Sequence, residues 1–275
     1  MTLYVDLCGL YRKYGFDIIA GVPQAFSLHQ ATEHTWLFRN GIPLTHHLGV
    51  SPYELYFLQS LCEHIEPRRI FTVGNSFGWS SLSLAMLNPA AKVVTLELGQ
   101  DEFTFEWIER TNAMALSQGL DVTVVRGASP RDVPEVVAGL LDGEVDLAFI
   151  DGEHSPQQIE DDFEAVRPFA TPDALFVFHD IVGFGLWRHL GLLSRRSRLA
   201  LRILLGTTSG VGLLLPNDAS AALLDCCAAF GATDDAAALL DYFREQEYDS
   251  MEERVRGVEK CVSDFRHRAE GTSGT

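Results

Sequence analysis

The chain has 275 residues, 47% hydrophobic and 21% charged, which suits one large α/β domain with appendages. Its formal net charge is −17, and an acidic surface repels phosphate backbones and anionic lipid head groups, so neither nucleic acid nor a membrane is the expected partner. Charged residues from Asp6 to Asp17 interrupt the N-terminal apolar run, so we expect no signal peptide, and no apolar stretch reaches the ~18 residues that span a bilayer.

The cysteines indicate a reducing compartment. There are five, an odd number, and none forms a Cys-x-x-Cys pair that would favour zinc. We therefore expect reduced, structural cysteines and a cytoplasmic protein.

The first 50 residues are broken by glycine and proline and predict a cap of short helices and loops. Ser51-Pro52-Tyr53-Glu54 then has the pattern of a helix start. Ser51 is the expected N-cap, Pro52 occupies the first helical position, and Glu54 completes a capping box. This helix is expected to run to about Glu63.

From Arg69 onward, short apolar strands alternate with helices. This alternation predicts a doubly wound, Rossmann-like, mostly parallel sheet covered on both faces, with ligands at the carboxyl ends of its strands. The predicted strands are Arg69–Val73, Lys92–Glu97, Val122–Arg126, Val145–Ile150 and Leu175–Phe178, and the predicted helices are Ser80–Leu87, Glu102–Ser117, Arg131–Leu141 and Pro156–Val166.

After Asp180, strands and helices no longer alternate regularly. Leu201–Leu205 and Val211–Leu215 flank a glycine-containing turn and predict a hairpin. We expect the main domain to span residues 51–217 and a helical extension to span 218–275. Its predicted helices are Ala219–Phe230, Asp234–Phe243 and the charged Met251–Arg268, and Gly271–Thr275 is the predicted disordered tail.

The loop after the first strand suits an anionic group. Gly74 permits a tight turn, and backbone N–H groups at the start of a helix attract a carboxylate. The spacing of Gly74 and Gly78 is Gly-x-x-x-Gly, and Ser76 stands where a dinucleotide fingerprint has its middle glycine. This favours an amino-acid carboxylate over a pyrophosphate. The alternative is a plain strand-to-helix turn.

Two more strand ends complete the outline of a nucleoside pocket. Glu97 can accept both ribose hydroxyls, unless it is a solvated strand-end acid. Ala128 leaves room for a flat ring and Ser129 offers it a hydroxyl, although Ser129 also suits the N-cap of the next helix.

Acids and histidines follow the fourth and fifth strands. Asp151, His179 and Asp180 would supply two carboxylates and an imidazole, a set that suits a hard metal or a general base. His154 is the better single base, because its ordinary pKa of about 6.5 lies near working pH. The alternatives are packing for His179, a turn cap for Asp180 and a hydrogen bond for His154.

Three stretches resemble the class I S-adenosylmethionine-dependent methyltransferases, especially the small-molecule group with a DGxH motif. They are Ile70–Ser81, Val122–Pro134 and Asp146–Ile181, and the resemblance covers about residues 50–215. Gly127–Pro134 is also similar to catechol-type O-methyltransferases, and the whole resembles macrolide-sugar O-methyltransferases. The resemblance implies a seven-stranded sheet with an antiparallel last strand and helical additions at both ends.

The resemblance also implies roles for the residues at the strand ends. Gly74 and Asn75 would hold the methionine part of the cofactor, Glu97 the ribose, and Ala128 with Ser129 the adenine. The expected cofactor-binding residues are Val73, Gly74, Asn75, Ser76, Glu97, Leu98, Ala128, Ser129 and Asp151.

The resemblance also implies a magnesium site, because metal-dependent relatives bind the ion with an acid after strand four and an acid pair after strand five. Asp151, His179 and Asp180 match those positions, but His179 replaces a carboxylate. Thr72 is a second departure, because the family often has an acid there. His154 and Asp151 are the expected catalytic residues.

The expected function is methyl transfer from S-adenosylmethionine to a small-molecule acceptor, at an oxygen, with or without Mg²⁺. The alternatives are a nicotinamide-dependent oxidoreductase, which the missing middle glycine disfavours, and a non-catalytic cofactor-binding or scaffold protein. The helical ends could pair two subunits into a homodimer.

Overall fold

The structure is a computed structural model that describes residues 2–20 and 34–246. The chain divides into two compact units, Met1–Thr233 and Asp234–Thr275. The predicted helix Met251–Arg268 and the tail Gly271–Thr275 lie outside the described residues. The domain boundaries expected at residues 50 and 217 stay predictions. No helix in the described ranges is both long and apolar enough to cross a membrane.

A seven-stranded sheet forms the centre of the first unit. Its strands, in chain order, are β4 (Arg69–Val73), β5 (Lys92–Glu97), β6 (Val122–Arg126), β7 (Val145–Ile150), β8 (Ala170–Phe178), β9 (Ala200–Leu204) and β10 (Val211–Leu215). They lie in the order β6-β5-β4-β7-β8-β10-β9. The last strand, β10, pairs antiparallel with both β8 and β9, whereas β4 to β8 are parallel. The predicted doubly wound sheet and its antiparallel last strand are confirmed.

Helices cover this sheet, so consecutive residues of its central strands are buried on both faces. Trp187, Leu190 and Leu193 are the buried side chains of a helix that the sequence analysis missed. The helices are α1 (Leu3–Lys13), α2 (Pro52–Ile65), α3 (Trp79–Leu87), α4 (Glu102–Ser117), α5 (Val133–Leu140), α6 (Pro156–Val166), the missed α7 (Trp187–Ser197) and α8 (Ala221–Ala229), and a further helix covers residues 236–246 in the second unit.

The N-terminal segment differs from the expected helices and loops. Besides α1 it contains a three-stranded antiparallel sheet of β1 (Asp17–Ala20), β2 (Thr35–Arg39) and β3 (Ile42–Gly49). Asn40 and Gly41 join β2 to β3 with φ of 53° and 76°. Asn-Gly is the dipeptide that best suits a tight hairpin turn with two positive φ angles. Gly41 was treated as a break, although this pair predicts a hairpin.

Helix α1 packs against the loop that follows β4. Leu7, Leu10 and Tyr11 are buried in the main core cluster. The Tyr11 hydroxyl donates a hydrogen bond of 2.8 Å to the carbonyl oxygen of Phe77, and its ring stacks on Trp107. The N-terminal segment thus fixes the back of the strand-to-helix loop.

In-register pairing brings the carboxyl ends of the parallel strands to one edge. Val73 of β4 lies opposite Leu96 of β5 and Ile150 of β7, and Ile150 lies opposite Phe178 of β8. The residues that follow these strands therefore share one rim. Gly74 lies so close to the β7 end that a Cβ atom there would be 2.2 Å from the carbonyl oxygen of Asp151.

We predict that Gly74→Ala lowers the free energy of unfolding by about 3–5 kcal/mol, because it adds a steric clash to the strain of a positive φ. Gly119→Ala is the matched control. Gly74 and Gly119 have φ of +92° and +67°, but a Cβ on Gly119 would meet nothing within 4 Å. Its expected cost is about 1 kcal/mol. Urea denaturation of both variants measures the difference, and equal losses would contradict the close approach.

Candidate functional site

A cavity of about 380 Å³ opens at the carboxyl edge of the sheet. This volume lies within the range of small-molecule sites. A larger groove of about 1040 Å³ lies at the opposite edge, beside Arg68 and Ala91, which precede β4 and β5. Ligands of open α/β sheets bind at the carboxyl edge. The residues lining the smaller cavity include Val73, Gly74, Ser76, Glu97, Leu98, Thr104, Ala128, Ser129, Asp151, Gly152, Gln158 and Asp162.

Nearly all the predicted cofactor residues therefore come together, and Asn75 is the exception. Its side chain is turned into the protein, where Nδ2 donates to Thr111 Oγ1 at 3.2 Å and Oδ1 accepts from Ser81 Oγ at 3.2 Å. Thr72 also faces away from the cavity, since its hydroxyl donates to Thr95 Oγ1 at 2.6 Å. A chain of buried hydroxyl groups thus stands at the position where the resemblance implies an acid.

Glu97 connects the ends of β4 and β5. Its Oε2 accepts hydrogen bonds from the backbone N–H groups of Asn75 at 2.8 Å and Ser76 at 3.2 Å, and its Oε1 accepts from Gly99 at 2.9 Å. These loop N–H groups were expected to be free for a ligand carboxylate, but they donate to Glu97. A carboxylate has about four acceptor positions, so Glu97 keeps room for a ligand hydroxyl on Oε1.

Two buried polar atoms on the cavity wall lack a hydrogen-bond partner within the described residues. They are Ser76 Oγ and Asp162 Oδ2. Such atoms are rare, because an unpaired buried polar group costs about 1–3 kcal/mol. Both atoms belong to side chains that line the cavity, which makes these side chains candidates for polar contacts with a ligand.

Asp162 was missed by the sequence analysis. Its Oδ1 accepts from the hydroxyl of Ser129 and from Nε2 of Gln158 at 2.7 Å. Burial raises the pKa of Asp162, and these hydrogen bonds only partly offset that effect. The signal in the sequence was its spacing: Asp162 falls on the apolar face of α6 with Ile159, Phe163 and Val166.

His154 follows β7 and lies beside Asp151 and Asp180. Its Nε2 is 3.3 Å from Asp151 Oδ1 and 3.6 Å from Asp180 Oδ2. Burial acts to lower the pKa of His154, but the hydrogen bond and charge of Asp151, together with Asp180, raise it above the ordinary value. The half-exposed ring of Phe184 stacks on this imidazole at 4.6 Å.

His179 has partners on both ring nitrogens, and its role as a metal ligand stays a prediction. Nε2 lies 3.1 Å from Glu54 Oε2, and Nδ1 lies 3.1 Å from Asp151 Oδ1 and 3.3 Å from Asp180 Oδ1. A metal ligand needs a ring nitrogen with a free lone pair, whereas a nitrogen that faces carboxylates carries a proton. Burial opposes the charge, but Asp151 and Glu54 raise the pKa of His179 well above its ordinary value.

The donor set differs from the all-carboxylate magnesium site that the resemblance implies. Among the described residues, Asp151, His154 and Asp180 bring one ligand atom each to within 4.8 Å of one another. Magnesium prefers an octahedron of oxygen ligands. Here one oxygen of each carboxylate accepts from His179, and the third group is an imidazole.

The comparisons with known proteins agree with this architecture. Residues 71–181 match the sequence model of the family described as "Methyltransferase domain". No curated protein matches the chain.

Solved structures match about three fifths of the chain. The O-methyltransferase from Bacillus cereus in complex with SAH is 19% identical, with a TM-score of 0.50 over 62% of this chain and 84% of that one. The O-methyltransferase TomG from Streptomyces achromogenes in complex with SAM is 22% identical, with a TM-score of 0.50 over 62% and 82%. Cofactor-bound Rv0187 from MTB is 25% identical, with a TM-score of 0.51 over 62% and 83%.

The resemblance stated from the sequence is therefore confirmed. Residues 71–181 match a methyltransferase domain, and the chain shares its fold with the solved O-methyltransferase structures.

We predict that Asp162→Asn weakens S-adenosylhomocysteine binding about tenfold, because the amide presents a donor where the carboxylate presents an acceptor to the cavity. The fold keeps its stability, since the amide oxygen can still accept from Ser129 and Gln158. Calorimetric titration measures the affinity. The matched control is Asp161→Asn, because Asp161 accepts from Gln157 on the helix surface. Unchanged affinity in Asp162→Asn would remove Asp162 from the site.

Proposed function

We propose that the protein transfers the methyl group of S-adenosylmethionine to an oxygen of a small-molecule acceptor. The observation that carries this proposal is the cavity at the carboxyl edge, whose wall holds the unpartnered buried atoms Ser76 Oγ and Asp162 Oδ2. A nucleoside with an amino-acid tail has polar groups for both atoms. The methyltransferase family match and the fold support the same reaction class.

The residues next to the cavity suit removal of a proton from the acceptor. S-adenosylmethionine supplies an electrophilic methyl group with a good leaving group. The acceptor oxygen would form the new C–O bond while the C–S bond breaks, and the acceptor proton would pass to the ring nitrogen of His154 that does not face Asp151 and Asp180. Asp151 lines the cavity and also contacts His154, so it joins the cofactor site to the base and stabilises the imidazolium.

The acceptor belongs on the side of His154 and Phe184. The exposed ring of Phe184 extends the flat surface of the imidazole and suits a planar or ring-shaped acceptor. A small-molecule acceptor also fits the acidic protein, whose charge of −17 disfavours nucleic acids and anionic membranes. A cytoplasmic location and a homodimer are parts of this proposal.

Metal-assisted transfer is the second candidate, favoured by the proximity of Asp151, His154 and Asp180. It would use His154 as a ligand and leave the acceptor without that base. A nicotinamide-dependent oxidoreductase is disfavoured, because Ser76 occupies the place where a pyrophosphate needs glycine.

Calorimetric titration with S-adenosylhomocysteine and with NADH tests the cofactor. We expect binding of the first only, and we expect Glu97→Gln to weaken it by about 1–3 kcal/mol through loss of charge-assisted hydrogen bonds. Glu102→Gln, at an exposed position on α4, is the control for charge. Binding of NADH without S-adenosylhomocysteine would contradict the proposal.

The turnover rate of a His154 variant tests whether His154 is the general base. With a panel of phenols and sugars as acceptors and S-adenosylhomocysteine release as the readout, His154→Gln should lower turnover about 10²–10⁴-fold, because no group then accepts the proton. Its affinity for S-adenosylhomocysteine should stay unchanged. Equal turnover of the variant and the wild type would assign the base elsewhere.

A further inference from the structure

One stretch of this acidic chain is basic. Residues 181–217 contain five arginines and neither aspartate nor glutamate, although the whole chain has 38 acidic residues and a net charge of −17. The excess negative charge therefore lies entirely in the rest of the chain. The five arginines belong to α7, its C-cap and the strand β9, and they are Arg188, Arg195, Arg196, Arg198 and Arg202.

Helix α7 carries two of these charges in one exposed row. Arg188, Leu192 and Arg195 follow one another at intervals of four and three residues, which places them along one side of the helix. The buried side chains of α7 lie on the opposite side. At a rise of 1.5 Å per residue, Arg188 and Arg195 are about 10 Å apart along the helix axis, with Leu192 between them. We call these three residues the α7 row.

The protein neutralises only part of the positive charge near this row. Arg196 pairs with Glu160 of α6, whereas the side chains of Arg195 and Arg198 form no ion pair among the described residues. Leu192 is 41% exposed in the middle of the row. Arginine is enriched at protein interfaces, where an apolar centre with a charged surround is the usual arrangement.

We propose that the α7 row is the docking site of an acidic partner protein. Carboxylates of the partner would pair with Arg188 and Arg195, and an apolar side chain between them would pack on Leu192. The row begins four residues after Phe184, whose ring stacks on His154, so the bound partner stands next to the acceptor side of the site. This inference goes beyond the proposed reaction and does not depend on it.

Charge and symmetry favour this partner over other occupants. A second copy of the chain related by a two-fold axis would place arginines opposite arginines. A nucleic acid duplex or an anionic membrane extends past a helix of 11 residues and would meet the surrounding acidic surface. An acidic protein can contact the row alone, because the Debye length of about 8 Å at physiological ionic strength screens the more distant acids.

A labelled acidic peptide tests the proposal, with fluorescence anisotropy at low salt as the readout. The probe repeats the heptad Glu-Gln-Ala-Ala-Leu-Gln-Ala three times, so that its carboxylates and leucines have the spacing of the α7 row. We expect wild-type protein to bind this peptide, with an affinity that falls as salt is added. The same peptide with glutamine in place of glutamate should bind at least about tenfold more weakly.

Two double variants locate the binding surface. Arg188→Gln, Arg195→Gln should weaken binding of the acidic peptide about tenfold, because two charge-assisted contacts are lost. The matched control is Arg12→Gln, Arg68→Gln, which removes the same charge from exposed positions in the larger groove at the opposite edge. The control should bind the peptide as the wild type does, and both variants should keep its thermal unfolding midpoint.

Failure of the acidic peptide to bind the wild type, or equal weakening by both double variants, would overturn the proposal. Tighter binding of phosphatidylserine vesicles or of a DNA duplex, lost in the α7 double variant, would contradict it too, as would a dimer that this variant dissociates. The S-adenosylhomocysteine titration is scored separately. Its failure would reject the proposed function, whereas the peptide titration needs no cofactor and reports on the α7 row alone.

Discussion

The parallel pairing of β4 with its two neighbours is the constraint on which the site depends. Val73, Leu96 and Ile150 lie in one row across the sheet, so the loops that follow them must share one edge. Gly74 then touches the backbone of Asp151, and no side chain fits between them. The position of the cavity is therefore a consequence of strand register. Its chemistry is set by the residues that follow each strand.

Two buried carboxylates hold this edge together from different directions. Glu97 binds the N–H groups of the loop after β4, and Glu54 of α2 binds His179 at the end of β8. Each carboxylate accepts most of its hydrogen bonds from groups of the protein itself. The side chains that remain available to ligands are then Ser76, Asp162 and His154, which line the cavity or its acceptor side. Internal anchoring and ligand binding are thus divided among different residues.

Local patterns in the sequence were enough to predict most of the sheet. The strands β4, β5, β6 and β7 match their predicted bounds, because apolar runs between helices have clear ends. The Asn40–Gly41 hairpin was missed because Gly41 was treated as a break without regard to Asn40. The capping box of Ser51 and Glu54 was predicted and is present. The contact between Glu54 and His179 is tertiary, and no local pattern in the sequence encodes it. The hydrogen bonds of Asp162 depend equally on tertiary packing.

A crystal structure of the protein with S-adenosylhomocysteine would test the central claim most directly. The account requires the ligand to lie at the carboxyl edge of the sheet, with its ribose at Glu97, its base near Ser129 and Asp162, and its sulfur directed toward Asp151 and His154. A ligand bound in the larger groove at the opposite edge, beside Arg68 and Ala91, would contradict it.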